Sequence, residues 1–299
     1  FCQPMWNISR NVRQLIILSC FISFPCQAVV GQGLLWRVHL PKHPANFLFG
    51  TIHVDDKRVK KLNPQVIRHF NEAKTLCLEI IPDREMQVGI GLAMLLPESQ
   101  SLDEILGNSL FSHLSLSLNK LGMDPLQATR LKPWAAMIVL SRPATRGGYA
   151  LDEQLYHWAV YQYKKICALE TLEEQLSVFD SLRLSDQVAL LKDSLGHQGM
   201  LHEMNEALIK AYLQGDLDEI YQRSLEMKSD KNNLSQRLRD TLIDQRNLRM
   251  LNRMMPKLKK GRSFIAVGAL HLPGKNGLLN LLRQQGYVVT PPSVSINPW

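Results

Sequence analysis

Short apolar runs bounded by turn-forming residues lie near both ends of the chain, and they predict β-strands. Residues 33–40 and 45–54 are two such runs. The sequence PKHPAN between them has the composition of a turn, so the two runs predict a β-hairpin. Further strands are predicted at residues 75–81, 164–171, 263–271 and 287–290.

The middle of the chain places apolar residues at helical spacing, with interruptions at Pro and Gly. Asn63 and Pro64 predict the start of one helix, as its cap and first residue. Helical insertions are expected at about 84–162 and 185–255. No linker is long enough to separate two domains. We therefore expect a single α/β (α+β) domain, in which a mixed sheet from the N- and C-terminal parts of the chain joins a large helical middle section.

Residues 1–28 are predicted to be a signal peptide. A positively charged segment around Arg10 precedes a short apolar stretch, and small residues follow near Ala28, where we expect cleavage. The apolar stretch is too short for a membrane span, and no second apolar span follows it. We therefore expect an exported protein, periplasmic or secreted. Anchoring through an acylated Cys20 is disfavoured, because the bulky Leu18 stands where a small residue is usual.

The composition is that of a globular protein, with 45% hydrophobic and 21% charged residues. The formal net charge is +8, but the basic residues are scattered and are densest only at residues 257–262. Proteins that bind single-stranded nucleic acid interleave basic and aromatic residues in a groove, and the chain has no such stripe. No nucleic-acid partner is therefore expected.

Two of the five cysteines follow the predicted signal peptide, Cys77 and Cys167. Each stands in an apolar run. Cysteines in such runs are most often buried packing residues, and nothing in their spacing requires a bond. An exported protein could pair them, so the sequence leaves the pairing open, and the expectation is two packing thiols without a disulfide.

A strand followed by Gly-x-x-His occurs twice, at Gly50–His53 and at Gly268–His271. Glu79 and Glu170 close two other predicted strands. Ligands of open α/β sheets bind in the crevice beyond the carboxyl ends of the strands, so these side chains are expected to converge there if the strands are parallel. A glycine at each strand end would let the chain turn sharply or let a ligand approach the backbone.

Two imidazoles and a carboxylate form a standard ligand set for a divalent transition metal. A second glutamate nearby could be a further ligand or a general base. A lone histidine after a strand is, however, more often a loop residue, and a lone strand-end glutamate more often pairs with a base or caps a helix. The residue pattern alone thus indicates a metal site or an acid–base site.

Five segments of the chain occur in the same order as in the TraB/PrgY/GumN family, which includes the Tiki-type metalloproteases. They are FLFGTIHVDDKRV, LCLEI, LDEQLYHWAVYQYKKICALETLEEQL, QRNLRM and FIAVGALHLPGKNGLLNLLRQQGYVV. The similarity extends from about Leu34 to Thr290. The chain therefore resembles a member of this family over nearly all of the expected domain at 29–299.

The resemblance implies a peptidase that acts on a peptide or protein substrate with a divalent metal, manganese or cobalt first and zinc second. The metal ligands that it implies are His53, Glu79 and His271. The catalytic residues are Glu79, Glu170 and Arg246. The residues that support the motifs are Gly50, Gly268, Asp55, Gln175 and Asn247.

Several alternatives stay open. The wider superfamily resembles erythromycin esterases, which implies hydrolysis without a metal, and haem-binding ChaN-like proteins, which implies capture of haem, a peptide or a pheromone without cleavage. Arg246 could stabilise an oxyanion, or it could form an ion pair with Glu79 or Glu170. Asp152 lies within a shared segment, and it also opens a predicted helix, where an acidic residue is favoured in any case.

Overall fold

Six β-strands form one sheet in the computed structural model, which describes residues 33–141, 148–226 and 234–292. The strands are β1 (Leu35–His39), β2 (Asn46–Thr51), β3 (Thr75–Leu78), β4 (Lys165–Ala168), β5 (Ser263–Gly268) and β6 (Val288–Thr290). Each lies within a run that the sequence predicts to be a strand.

The order of the strands across the sheet is β4-β3-β5-β2-β1-β6. Strands β1 and β2 form the predicted antiparallel hairpin, and β6 pairs antiparallel with β1. Strands β2, β5, β3 and β4 are parallel to one another. The sheet is therefore mixed, as expected, and four consecutive strands direct their carboxyl ends toward one edge.

Helices fill most of the intervals between the strands. They are α1 (Lys57–Lys60), α2 (Pro64–Glu72), α3 (Arg84–Ala93), α4 (Leu102–Leu106), α5 (Asn108–Lys120), α6 (Pro125–Thr129), α7 (Pro133–Ser141), α8 (Leu151–Tyr161), α9 (Leu172–Asp180), α10 (Leu184–Gly196), α11 (Gln198–Gln214), α12 (Leu217–Glu226), α13 (Leu234–Arg239), α14 (Arg246–Lys260) and α15 (Leu278–Gln284). A π-helical turn, Asp240–Gln245, joins α13 to α14, and a 3₁₀ turn, Ala269–His271, follows β5. Asn63 caps α2 by accepting a hydrogen bond from the backbone N–H of Gln65, as the sequence predicts.

The buried apolar side chains form two separate clusters. The larger cluster surrounds the sheet, where Phe264 of the central strand β5 is fully buried, and it includes side chains of α2, α8, α11, α12, α14 and α15. The smaller cluster lies among α4, α5, α6, α7 and α10 and is centred on Trp134. Only part of the expected helical insertion thus has a core of its own, because α8, α11, α12 and α14 contribute to the cluster around the sheet.

The structure joins Cys77 to Cys167 by a disulfide, so the expectation of two unpaired thiols is wrong. The two residues are partners in the register of the parallel strands β3 and β4, and their Cα atoms are 4.6 Å apart. That separation lies within the range that a disulfide spans. The pairing depends on the alignment of two strands that are 90 residues apart in sequence, which their spacing in the chain does not reveal.

Within the described ranges, no helix is both long and apolar enough to cross a membrane. The predicted signal peptide lies outside these ranges.

Candidate active site

The candidate site lies where β2, β5 and β3 end at the same edge of the sheet. In the register, Thr51 of β2 lies opposite Gly268 of β5. His53 and His271 follow these positions by two and three residues. Glu79 directly follows β3, whose last residue is paired with a β5 residue. The parallel arrangement thus brings the three implied metal ligands to adjacent strand ends.

Both motif glycines make room for other parts of the same site. Gly50 lies inside β2, and a Cβ atom there would come within 3.1 Å of the Cα atom of Ala269, in the turn that carries His271. A Cβ atom on Gly268 would come within 3.3 Å of Oε1 of Glu79. The expectation that each glycine turns the chain sharply is therefore wrong for Gly50, which admits the close approach of the second motif.

Glu79 is held from several directions. Its Oε1 accepts a hydrogen bond of 2.6 Å from the N–H of Gly268, and its Oε2 accepts one of 2.5 Å from Nη2 of Arg246 and one of 3.2 Å from the amide of Gln175. Burial by itself raises the pKa of this carboxyl group. A protonated His271, the Arg246 guanidinium and the Gly268 N–H outweigh it and lower the pKa to about 2. Glu79 is therefore ionised at neutral pH.

His271 is buried beside Glu79 and is fixed by Asn247. Its Nδ1 lies 2.7 Å from Oδ1 of Asn247, and since an amide oxygen only accepts, Nδ1 carries the proton and Nε2 the lone pair. Nε2 lies 3.6 Å from Oε1 of Glu79. Burial, aided by the charge of Arg246, lowers the pKa of His271 to about 4 against the opposing charge of Glu79. The imidazole is therefore neutral at neutral pH.

His53 is the exposed member of the set, with 64% of its side chain accessible to solvent. Its Nδ1 lies 3.2 Å from Oδ2 of Asp152, whose other oxygen accepts a hydrogen bond of 2.6 Å from the hydroxyl of Thr51. Asp152 stands at the second position of α8, 99 residues from His53. Sequence reasoning did not assign this contact. The only signal was that Asp152 falls within a segment shared with the family.

Glu170 and Arg246 form a buried ion pair behind Glu79. The side chain of Glu170 is fully buried, and its Oε2 accepts hydrogen bonds of 2.8 and 2.7 Å from Nε and Nη2 of Arg246. Arg249 lies 3.6 Å from the other oxygen of Glu170. Arg246 thus bridges Glu79 and Glu170. Of the two roles considered for Arg246, stabilising an oxyanion or forming an ion pair with a glutamate, the structure contains the ion pair.

The π-helical turn at Asp240–Gln245 ends immediately before the two α14 residues that reach the site. Arg246 and Asn247 are both buried there, the first against the glutamates and the second against His271. The amide of Asn247 donates a hydrogen bond of 2.8 Å to the backbone oxygen of Asn276. This contact leaves Oδ1 of Asn247 for His271. Irregular turns of this type frequently occur at functional sites.

Asp55 does not join the glutamates. It pairs with Lys60, and its Oδ2 accepts a hydrogen bond of 2.6 Å from the N–H of Gly148, just before α8. Gln175 donates to both Glu79 and Glu170, at 3.2 and 3.4 Å. Of the predicted supporting residues, Gln175 and Asn247 thus contact the site directly, and Asp55 contacts the chain segment that carries Asp152.

The donor set fits a divalent transition metal in its chemistry. Nε2 of His271, which carries the lone pair, and Oε1 of Glu79 lie 3.6 Å apart, and imidazole nitrogen and carboxylate oxygen are both ligands that divalent transition metals accept. His53 is turned toward Asp152. Within the described parts of the chain, no three His, Cys, Asp or Glu side chains are grouped closely enough to hold an ion. His271 and Glu79 are therefore the preformed part of the set.

The fold and the paired His and Glu side chains define an α/β protein with a candidate metal or acid–base centre at one sheet edge. Residues 34–291 match the TraB/PrgY/gumN family, and the chain belongs to this family. The resemblance seen in the five sequence segments is thereby confirmed. No solved structure matches the chain significantly.

The similar proteins include both bacterial and animal members. YbaP of Shigella flexneri, which is named an uncharacterized protein, is 27% identical over 86% of this chain and 96% of its own length. Metalloprotease TIKI2 of Xenopus tropicalis and Metalloprotease TIKI1 of Danio rerio are each 28% identical over 86% of this chain. The chain spans 59% and 63% of the lengths of these two metalloproteases, which is less than two thirds.

Proposed function

We propose that this protein is an exported, metal-dependent hydrolase that cleaves peptide bonds in a peptide or protein substrate. The observation that carries the proposal is the convergence of His53, Glu79 and His271 at the ends of neighbouring parallel strands. The metalloprotease names of the animal relatives support both the metal and the peptide substrate.

In this proposal, His53, Glu79 and His271 hold the ion, with manganese or cobalt favoured and zinc as the next choice. The ion would supply Lewis-acid polarisation of the scissile carbonyl group and activation of a water molecule. The paired donors His271 and Glu79, one neutral and the other ionised at neutral pH, support this assignment. Metal ligands need these protonation states, because a protonated imidazole has no lone pair to donate.

The surrounding residues keep these donors in their working states. Arg246 stabilises the ionised form of Glu79, and Asn247 keeps the lone pair of His271 on Nε2. Glu79 is the more exposed of the two glutamates, so it is the one that can reach a substrate or a water molecule, whereas the side chain of Glu170 is fully buried. Glu170 serves to position Arg246.

Export is proposed from the leader at residues 1–28 and is supported by the disulfide between Cys77 and Cys167. Disulfides persist in oxidising compartments and are rare in the cytosol. The mature domain is then residues 29–299, in the periplasm or outside the cell.

Hydrolysis without a metal is the second candidate, and the contact between His53 and Asp152 favours it. An exposed imidazole whose Nδ1 faces a carboxylate is the arrangement of a general base with an orienting acid. In that case His53 would take the proton from water, and Arg246 would remain the nearby positive charge.

Metal content separates the two candidates. Wild-type protein is stripped with a chelator, reloaded with manganese, cobalt or zinc, and analysed for bound metal and for cleavage of a peptide library. His53→Ala and His271→Ala are measured beside it, with His43→Ala as the matched control, because His43 lies exposed in the β1–β2 turn.

The proposal expects about one ion per chain in the wild type and in His43→Ala, a loss of the ion in both site variants, and cleavage only by the loaded proteins. Cleavage by a fully stripped wild type would establish the metal-free mechanism instead. If one site histidine can be replaced without effect on metal binding or cleavage, the two motifs do not form one centre.

A further inference from the structure

Three alternate residues, two in the first motif and one just after it, contact the same short segment at the start of α8. Thr51 and His53 reach Asp152, and Asp55 accepts a hydrogen bond from the backbone N–H of Gly148. Thr51 ends β2, and His53 and Asp55 follow in a turn in which the backbone N–H of Val54 donates to the backbone oxygen of Ile52. The first motif is therefore attached to the start of α8 at several points.

Each oxygen of Asp152 has a separate partner. Oδ1 accepts the 2.6 Å hydrogen bond from the Thr51 hydroxyl, which leaves Oδ2 facing Nδ1 of His53 at 3.2 Å. Gly148 lies close to Asp55, since a Cβ atom there would come within 2.7 Å of Oδ1 of Asp55. The position of the carboxylate relative to His53 is thus set by contacts that do not involve His53.

We propose that Asp152 is a positioning residue that holds His53 in the tautomer with the proton on Nδ1 and the lone pair on Nε2. A carboxylate can only accept a hydrogen bond, so the ring nitrogen that faces it must carry the proton. The proposal concerns the tautomer in the metal-free protein. That this tautomer of His53 serves metal binding or base catalysis rests on the proposed function.

The second motif has the same arrangement with a different partner. Oδ1 of Asn247 faces Nδ1 of His271, and Asn247 is oriented in turn by the backbone oxygen of Asn276. Both histidines thus have Nδ1 held by a side chain from the first helical turn of a neighbouring helix, α8 or α14. Such outer partners fix the tautomer and ring orientation of metal-binding histidines.

The test is Asp152→Asn, with Glu153→Gln as the matched control. The asparagine oxygen can keep the hydrogen bond from Thr51, which turns the amide NH₂ toward Nδ1 of His53 and forces that nitrogen to accept. Glu153 is the adjacent acidic residue, and it accepts from the N–H of Ala150 rather than facing His53. Glu153→Gln removes the same charge and keeps that acceptor.

The first measurement is the ¹⁵N–¹H long-range correlation spectrum of the metal-free protein at about pH 8, where a histidine of ordinary pKa is neutral. The signals of His53 are identified from their absence in His53→Ala. We expect the Nδ1–H tautomer in the wild type and Glu153→Gln, and the Nε2–H tautomer in Asp152→Asn. A wild-type His53 with its proton on Nε2 overturns the proposal without any variant, and so does an unchanged tautomer in folded Asp152→Asn.

The second measurement is the affinity for manganese or cobalt. Loss of an outer partner of a metal ligand typically weakens metal binding by about 10- to 100-fold, which we expect for Asp152→Asn but not for Glu153→Gln. A wild type that has the expected tautomer but binds no metal would refute metal-dependent function and leave the positioning role of Asp152 intact. Normal metal binding with no effect of Asp152→Asn on the tautomer would refute the positioning role of Asp152 and leave metal-dependent function intact.

Discussion

Removal of the disulfide between Cys77 and Cys167 is expected to lower the free energy of unfolding substantially. The perturbation is the double substitution Cys77→Ala and Cys167→Ala, compared with the oxidised wild type. Alanine suits both sites, because Cys77 is fully buried in the sheet core and a serine hydroxyl there would need a hydrogen-bond partner.

The magnitude follows from the length of chain that the bond closes. The cysteines are 90 residues apart, and cross-linking a loop of that length lowers the entropy of the unfolded chain by about 15.5 cal/mol/K, or about 4.6 kcal/mol at 25 °C. Engineered bonds often deliver less than this chain-entropy value, so it is an upper figure. With a urea m-value of about 3 kcal/mol/M, the midpoint would fall by about 1.5 M.

The assay is urea unfolding followed by far-UV circular dichroism, on protein that begins at Val29 and so contains only these two cysteines. Wild type with a reductant should unfold at nearly the same midpoint as the double variant, because both lack the cross-link. The difference between those two curves reports the packing of the sulfur atoms alone.

Two results would refute this reasoning. Two reactive thiols in wild-type protein denatured without a reductant would mean that the bond is not formed. Coincident midpoints for the oxidised wild type and the double variant would mean that the bond forms without stabilising the fold.

Three further substitutions or conditions test other parts of the structure. Gly50→Ala should cost about 1–3 kcal/mol by overpacking against Ala269, measured by urea unfolding, and an unchanged midpoint would show that the turn carrying His271 can shift freely. Asn63→Ala should lower stability by about 1 kcal/mol through loss of the α2 cap, whereas Asn63→Asp should retain most of it. Metal-free protein should lose stability as the pH falls, in two windows. Between about pH 6.5 and 4, His271 takes up a proton in the unfolded chain but not in the folded protein, and between about pH 4.3 and 2 the same holds for Glu79. An acid limb identical to the wild type in the folded variant Glu79→Gln would contradict the second window.

The positions of the strands in the chain were predictable from the sequence, but their order across the sheet was not. Each strand is a short apolar run, which a local pattern reveals. The placement of β5 between β2 and β3 joins segments more than 180 residues apart in the chain, and it depends on packing that no local pattern encodes. The disulfide became visible only with the register of β3 and β4 for the same reason.

The candidate site divides in a similar way. His53, Glu79 and His271 lie at or near the ends of predicted strands, so their position at one sheet edge could be expected from the chain if those strands were parallel. Asp152 could not be assigned to His53, because 99 residues separate the two and an acidic residue at a helix start has an ordinary explanation. Glu170 was predicted to be catalytic, and its burial behind Arg246 depends on how α14 packs.

The two apolar clusters are expected to give this chain two distinct levels of local stability. They share no side chain, so we expect the helices around Trp134 to separate from one another while most of the residues that surround the sheet stay buried. The opening that exposes the backbone amides of α5 and α7 to hydrogen exchange should then cost less free energy than the opening that exposes those of β3 and β5. The exchange rates of the amides in the chain should therefore fall into two groups, one for each cluster. The connection between the two levels is α9, whose Phe179 stacks on Trp134 and whose Gln175 donates to Glu79, so a rearrangement of the helical cluster is expected to reach the site through this helix.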